Sequence, residues 1–289
     1  MPVSIKAHCF WVQSVSGTSE ELKTLVKKFA DDGKDVEFSH GLHTYRASEA
    51  QWTSAGVFSA TVYKLRHNDL PLAVSDEGVD DLPIDAKTDL GEPMVFVYYP
   101  AISAAMVHYA HNGPRHSVIA PFLNQIGHPH AITVEPIILR DMMKRLQDAK
   151  FFRSIKFTLR GVQDNKELPK AGSAVAHSVE IADELSGVNV TVEVTMGHAK
   201  GSLGVGKLKD LARRLSHFGD HEVTTLQVDA GTEDGGAVEM LDLLKAKVGT
   251  ELEIADRGRY MDRVDCRSKL IYAFNQRKTE IEQQLRDRD

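Results

Sequence analysis

Along this chain, stretches with the two-residue period of strands and stretches with the 3.6-residue period of helices follow one another without regular alternation. That order constrains the fold more than any motif does. A doubly wound parallel sheet needs a helix at every crossover, so its strands and helices must alternate. Residues 3–13 (VSIKAHCFWVQ) read as a strand. The next helix has a capping box, Thr18 with Glu21, then apolar positions Leu22, Leu25, Val26 and Phe29, and stops at Asp32 and Gly33. Strands are expected over 35–39 and 55–66, and in the buried runs MVFVYY and AISAAMVHYA joined through Pro100. HSVIAPFLNQI reads as a helix stopped by Gly127, and 132–161 as strand, helix, strand. Further on, VAHSVEIADEL reads as a short helix and VNVTVEVTM as a strand with Val188, Val190, Val192, Val194 and Met196 on one face. KLKDLARRLSHF is a basic helix whose core side is Leu208, Leu211 and Leu215. TTLQVD and ELEIA read as strands flanking a helix, AVEMLDLLKAK. Residues 260–286 form a long charged helix with a stripe at Val264, Ile271, Phe274, Ile281 and Leu285.

No internal repeat of roughly 20–50 residues interrupts this order. The expected class is α+β: mostly antiparallel sheets with packed helices and a long C-terminal helix. The expected divisions are an N-terminal α+β region over 1–128, carrying an acidic linker at 75–92, and a central cationic α+β domain over 129–255. The stripe of the C-terminal helix over 256–289 must pack on something, either its own body or a second copy, which makes it a candidate dimer contact.

An apolar content of 42% and a charged content of 26% in 289 residues place the chain among soluble globular proteins. No run approaches the roughly 18 apolar residues of a membrane helix, and no charged-then-apolar leader opens the chain, so a cytoplasmic protein is expected. The two cysteines, Cys9 and Cys266, form no CxxC and no disulfide framework. The net charge of −6 comes from one place. Residues 76–92 hold seven acids (Asp76, Glu77, Asp80, Asp81, Asp85, Asp89, Glu92) against Lys87 alone, leaving the rest of the chain neutral with its cations bunched.

The first bunch is Arg140, Lys144, Arg145, Lys150, Arg153, Lys156 and Arg160, against only Asp141 and Asp148. On the helix, the two acids fall among the cations, and Met142, Met143, Leu146 and Ala149 form the core side. In the strand, Phe151, Arg153, Ile155, Phe157 and Leu159 alternate with Phe152, Ser154, Lys156, Thr158 and Arg160. The second set mixes hydroxyls with cations, which is the chemistry that phosphate oxygens accept. The second bunch is Lys200, Lys207, Lys209, Arg213 and Arg214. It surrounds Gly201-Ser-Leu-Gly-Val-Gly206-Lys207, which satisfies the GxxxxGK part of a phosphate-binding loop between a strand and a helix. Leu208 stands where a Ser or Thr would hold magnesium. His108, His111, His116, His128 and His130 crowd one region, but His108 and His111 at odd spacing on a strand face opposite sides, so no metal is expected.

The blocks MVFVYYPAISAAMVHYAHNGPRHSVIAPFLNQIG, VEPII, IKFTLRG, VNVTVEVTMGHAKGSLGVGKLKDLARRL and SKLIYAFNQRKTEIEQQ, spanning 93–286 in that order, resemble the RexA-like family of phage exclusion proteins. The resemblance implies an RdgC-like fold and a homodimer that binds double-stranded DNA by its backbone, without catalytic residues or cofactor. It also implies phage defence together with a separate membrane-protein effector. The expected contacts, resting on charge and face, are Arg140, Lys144, Arg145, Arg153, Lys156, Arg160, Lys200, Lys207, Lys209, Arg213 and Arg214. The alternatives are a nucleotide-binding enzyme using the 201–207 loop, or a protein-interaction scaffold.

Overall fold

The computed structural model describes residues 3–286 except 69, 77, 83, 86, 87, 111, 163–171, 217, 219–222, 233–237, 258 and 259. Glu77 and Lys87 of the acidic segment and His111 thus lie outside the described residues. In chain order the elements are β1 (Val3–Ser14), α1 (Ser19–Asp32), β2 (Val36–His40), β3 (His43–Trp52), β4 (Phe58–Arg66), β5 (Ala73–Ser75) and β6 (Gly78–Asp80). Then come β7 (Leu90–Tyr99), β8 (Ala104–Tyr109), α2 (Ile119–Gln125), β9 (Ile132–Pro136), α3 (Arg140–Asp148), β10 (Phe151–Arg160) and α4 (Ser173–Glu184). The chain ends with β11 (Asn189–Thr195), α5 (Val205–Ser216), β12 (Val223–Gly231), β13 (Glu239–Asp242), β14 (Gly249–Ile254), β15 (Asp256–Arg257), β16 (Tyr260–Met261) and α6 (Arg263–Arg286). The fold is α+β, with antiparallel sheets and a long C-terminal helix.

Two compact units divide the chain: 1–134 together with 249–289, and 135–248. The first is built on a sheet ordered β14-β1-β8-β7-β4-β3-β2, with β9 added beside β1. Its central strands are continuous apolar runs because both of their faces are covered. Phe10, Val12, Phe96, Tyr98, Ala105 and Val107 pack in one core with Leu22 and Val26 of α1 and Phe122 and Leu123 of α2. On α6, Cys266, Leu270, Ala273, Phe274 and Ile281 are buried, and the Phe274 ring stacks on Tyr99 of β7 at 3.7 Å. Of the expected stripe only Phe274 and Ile281 are buried: Val264 is exposed, Ile271 and Leu285 are half-buried, and Cys266, Leu270 and Ala273 take the inward places. α1 begins as its capping box requires, with Thr18 Oγ1 accepting from Glu21 N–H and Glu21 Oε2 accepting from Thr18 N–H. The acidic segment lies within this unit and is not wholly a linker: part of it forms the small β5–β6 hairpin, and Leu90 to Glu92 begin β7, paired with β4.

The 135–248 unit has a four-stranded sheet ordered β11-β10-β12-β13. Side chains from α3, α4 and α5 (Leu146, Val175, Val179, Leu208, Ala212, Leu215) pack with Phe152, Ile155, Phe157, Leu159, Leu226 and Val228 in one core. The strict alternation expected for β10 breaks near its start. A bulge between Phe152 and Ser154 in the pairing with β12 puts both Phe151 and Phe152 inside, and Arg153 leaves the core face. A second correction concerns 238–247, expected as a helix. Glu239 to Asp242 instead pair with Ala230 to Gln227, with Leu241 and Leu243 buried and Met240 outside. An open edge of β12 offers this segment ladder bonds and a core, which outweigh its local helix preference.

Candidate nucleic-acid interface

β10 presents Ser154, Lys156, Thr158 and Arg160 on the sheet face away from the helices, as the alternation predicts. What the alternation could not supply is their neighbours across the ladder. Register sets Lys156 between Glu193 and Gln227, and Ser154 between Thr195 and Asp229. Lys156 pairs with Glu193 at 3.5 Å, Ser154 donates to Asp229 at 2.7 Å, and Thr158 bonds Thr191 at 3.0 Å. Gln227 donates to Asp242 at 3.4 Å. The face thus carries two cations, Lys156 and Arg160, against three acids, Glu193, Asp229 and Asp242, the last also pairing with Lys245 at 3.4 Å. Only Arg160 of the expected row has no such partner among the described residues. The row is a self-satisfied polar surface.

Arg153 has a different task from the phosphate contact expected of it. Its guanidinium donates to the backbone carbonyls of Gly197 (2.7 Å), Ala199 (2.8 Å) and Gly201 (3.1 Å). It thereby holds the glycine-rich turn against the start of β10. Met196 N–H to Arg153 C=O and Leu203 N–H to Phe152 C=O, both 2.9 Å, complete the attachment. Gly201 sits at φ 109°, which favours glycine. This geometry departs from a phosphate-binding loop, whose backbone N–H groups must stay free for the anion. Here the Leu203 N–H is bonded, and the Ser202 hydroxyl accepts from Phe152 N–H and donates to Leu203 C=O. The preceding strand, β11, is an antiparallel edge strand, whereas the loop's usual setting is a parallel sheet.

The remaining cations gather on the helical layer. Lys209 Nζ of α5 donates to the Gln147 carbonyl of α3 at 2.5 Å, tying the two helices side by side. α3, the Lys150 after it and α5 carry Lys144, Arg145, Lys150, Lys207, Lys209, Arg213 and Arg214 against Asp141, Asp148 and Asp210. Besides Lys209, two of these cations are engaged: Arg145 pairs with Glu239, and Arg213 with Asp210 at 3.3 Å. Lys144, Lys150, Lys207 and Arg214 are exposed and carry no ion pair among the described residues; neither does Lys200 in the turn. The Arg140 side chain lies outside the described residues. The helix-borne parts of the two bunches therefore lie together, and the strand part of the first is separated from them. Lys156 and Arg160 are on the open sheet face, while the helix-borne set covers the opposite side of the same core.

A sequence comparison places these elements in a wider group. A family of unknown function, DUF6731, matches residues 22–277, which is most of the chain. The chain belongs to the DUF6731 family. No curated protein matches it. The DUF6731 match includes every cation of both bunches and also a polar cluster that sequence reading missed. In that cluster Glu49 adopts φ 55° beside a bulge in β3. Its carboxylate accepts from Thr61 (2.9 Å), Tyr63 (3.2 Å) and Arg263 (2.9 Å), and its carbonyl accepts from the buried Arg267 (3.1 Å). The partners are more than 200 residues away in sequence for the two arginines, so only the fold reveals them.

Outside the DUF6731 match, Ser14 and Ser16 meet two of the crowded histidines. His128 Nε2 lies 3.0 Å from Ser14 Oγ, and His130 Nδ1 lies 3.1 Å from Ser16 Oγ. Asn124 holds both histidine carbonyls at 2.9 Å. Among the described residues, no group of three His, Cys, Asp or Glu side chains is placed to hold a metal ion. Nor is any described helix long and apolar enough to cross a membrane. Both thiols are buried, and burial pushes Cys9 and Cys266 up to about 12, away from nucleophilic use.

Proposed function

We propose that the 135–248 unit binds double-stranded DNA through its phosphates, without reading sequence, using the α3–α5 layer. One observation carries this reading: seven cations against three acids on α3, the Lys150 after it and α5, four of the cations exposed and without an ion pair among the described residues. Phosphate binding by such a surface gains chiefly from counterion release and needs no groove-reading element. The sheet face contributes less, because its acids cancel its cations. Homodimer formation, phage exclusion and a membrane-protein effector, implied by the RexA-like resemblance, belong to the same proposal, as does the cytoplasmic setting expected from the sequence.

Fluorescence anisotropy on random-sequence duplexes tests it. Affinity should fall as salt rises, with a log-log slope of about −0.9 per phosphate neutralised. Lys207→Glu with Arg214→Glu should weaken binding to all sequences alike, by roughly tenfold or more, whereas Lys156→Glu with Arg160→Glu should change it by less than about threefold. A larger loss from the sheet pair would move the interface to the other face. Absence of binding to long duplex at low salt would end the proposal.

A further inference from the structure

We propose that the free edge of β11 is a self-association surface, on which two copies of this chain join their four-stranded sheets antiparallel about a two-fold axis at Val192. It rests on the homodimer of the proposed function, to which it gives an interface, and does not need DNA binding, so loss of the anisotropy signal leaves it standing. Its first support is the direction of the backbone. Met196 N–H bonds the Arg153 carbonyl, one step beyond the Ser154–Thr195 pair, so Arg153 and Met196 are a hydrogen-bonded pair. Alternation then turns the N–H and C=O groups of Val190, Val192 and Val194 toward β10, and those of Asn189, Thr191, Glu193 and Thr195 outward. Among the described residues no strand pairs with that outer side.

Edge strands normally carry devices against such pairing: shortness, proline, lysine or uncompensated charge. β13, at the other edge of this sheet, is four residues long and bears Glu239 and Asp242. β14, an edge of the larger sheet, bears Glu251 and Glu253. β11 is seven residues, NVTVEVT, without proline or lysine, and Lys156 of the neighbouring strand neutralises its single charge, Glu193, at 3.5 Å. Apolar surface collects at the same edge. Among the described residues of 135–248, six large apolar side chains are exposed, and four of them lie on β11, the residue before it, or the C-terminal end of α4 that packs against it: Ile181 (43% exposed), Leu185 (77%), Val188 (58%) and Val194 (46%).

The strand is complementary to itself in one register. With Val192 opposite the partner's Val192, Thr191 faces the partner's Glu193 and Val190 faces the partner's Val194. Asn189 faces the partner's Thr195. The outward backbone groups then exchange bonds, the valines meet valines, and no carboxylate faces a carboxylate. Slipping by one residue sets inward-bonded groups against outward ones and valines against polar residues. Centring on Glu193 puts two carboxylates opposite each other, and centring on Thr191 runs Val194 and Thr195 past the partner strand's end. These exclusions leave a second copy in the Val192 register as the occupant.

Light scattering and a cysteine cross-link on the full chain test this. The wild type should run at twice 32.0 kDa at micromolar concentration. Val192→Cys should give a reducible covalent dimer on mild oxidation, because facing residues of a non-hydrogen-bonded pair lie within disulfide reach. Thr191→Cys, which does not face its own copy, should give at least fivefold less. Cys9 and Cys266 are buried and should stay silent. Thr191→Pro removes an outward donor and the Thr158 hydroxyl contact while sparing every backbone bond to β10, and should shift the protein to monomer; Thr191→Val, which loses the same hydroxyl but keeps the outward N–H, should stay dimeric. A wild type that stays monomeric, or a folded Val192→Cys that does not cross-link, overturns the proposal. Should Thr191→Pro misfold by circular dichroism, the Val192→Cys result decides alone.

Discussion

His108 shows how a single side chain acquires a property that its neighbours in sequence do not announce. It lies on β8, a strand covered on both faces, and burial lowers its pKa from 6.5 to about 4. The folded protein therefore holds His108 neutral, while the unfolded chain protonates it at about pH 6.5. Its contribution to stability is complete above pH 6.5 and is lost as pH falls from 6.5 toward 4, a loss of about 3 kcal/mol. His108→Phe should flatten that part of the stability-versus-pH curve in urea titrations. The slope that remains should come from groups such as His128, which burial and His130 also lower. An unchanged acid limb would mean that His108 is accessible to protons when folded. Arg153 and Lys156 carry the same lesson. Both were legible as cations, yet their partners, Gly197, Ala199, Gly201 and Glu193, are supplied by a segment 37–48 residues on.

At the scale of elements, local signals predicted those elements whose ends or periods are set locally. α1 is closed by side chains three residues apart at Thr18 and Glu21 and by Gly33 in the left-handed region, so its limits were readable. β13 was misread because its residues favour a helix in isolation, and only β12 makes a strand of them. The glycine-rich turn is an intermediate case. Its glycines announced a turn, but Arg153 fixes its conformation. Arg153→Met should leave the two backbone bonds to Phe152 and Arg153 in place while removing three carbonyl contacts. Amide exchange over 197–203 should accelerate by about tenfold, and global stability should fall by about 1–2 kcal/mol. Equal protection in the variant would show that the backbone bonds alone hold the turn.

For the whole molecule, the contrast between the two units is one of continuity. Residues 135–248 are one uninterrupted stretch with its own core, whereas the other unit needs 249–289 to complete its sheet and cover it. A 135–248 fragment should therefore fold alone, with a cooperative urea transition. A 1–134 fragment should aggregate, because it lacks β14 and the Leu270, Phe274 and Ile281 contacts of α6. A non-cooperative 135–248 fragment would refute this division. The same scale explains the fate of the C-terminal helix. Its stripe was expected to pack on something, and Phe274 against Tyr99 shows that it covers its own sheet.

By itself the sequence determined the fold class, most of the elements, the buried central strands and the positions of both cationic bunches, because period, capping and composition are properties of neighbouring residues. Tertiary structure alone decided which face each cation occupies and which acid neutralises it. Across a sheet, residues as far apart as Ser154 and Asp229 become direct neighbours through strand register, which no local pattern encodes. The 132–161 stretch illustrates both: its strand, helix and strand are where their periods put them, but its exposed charge lies on the helix side, since Glu193, Asp229 and Asp242 cancel the charge of the strand.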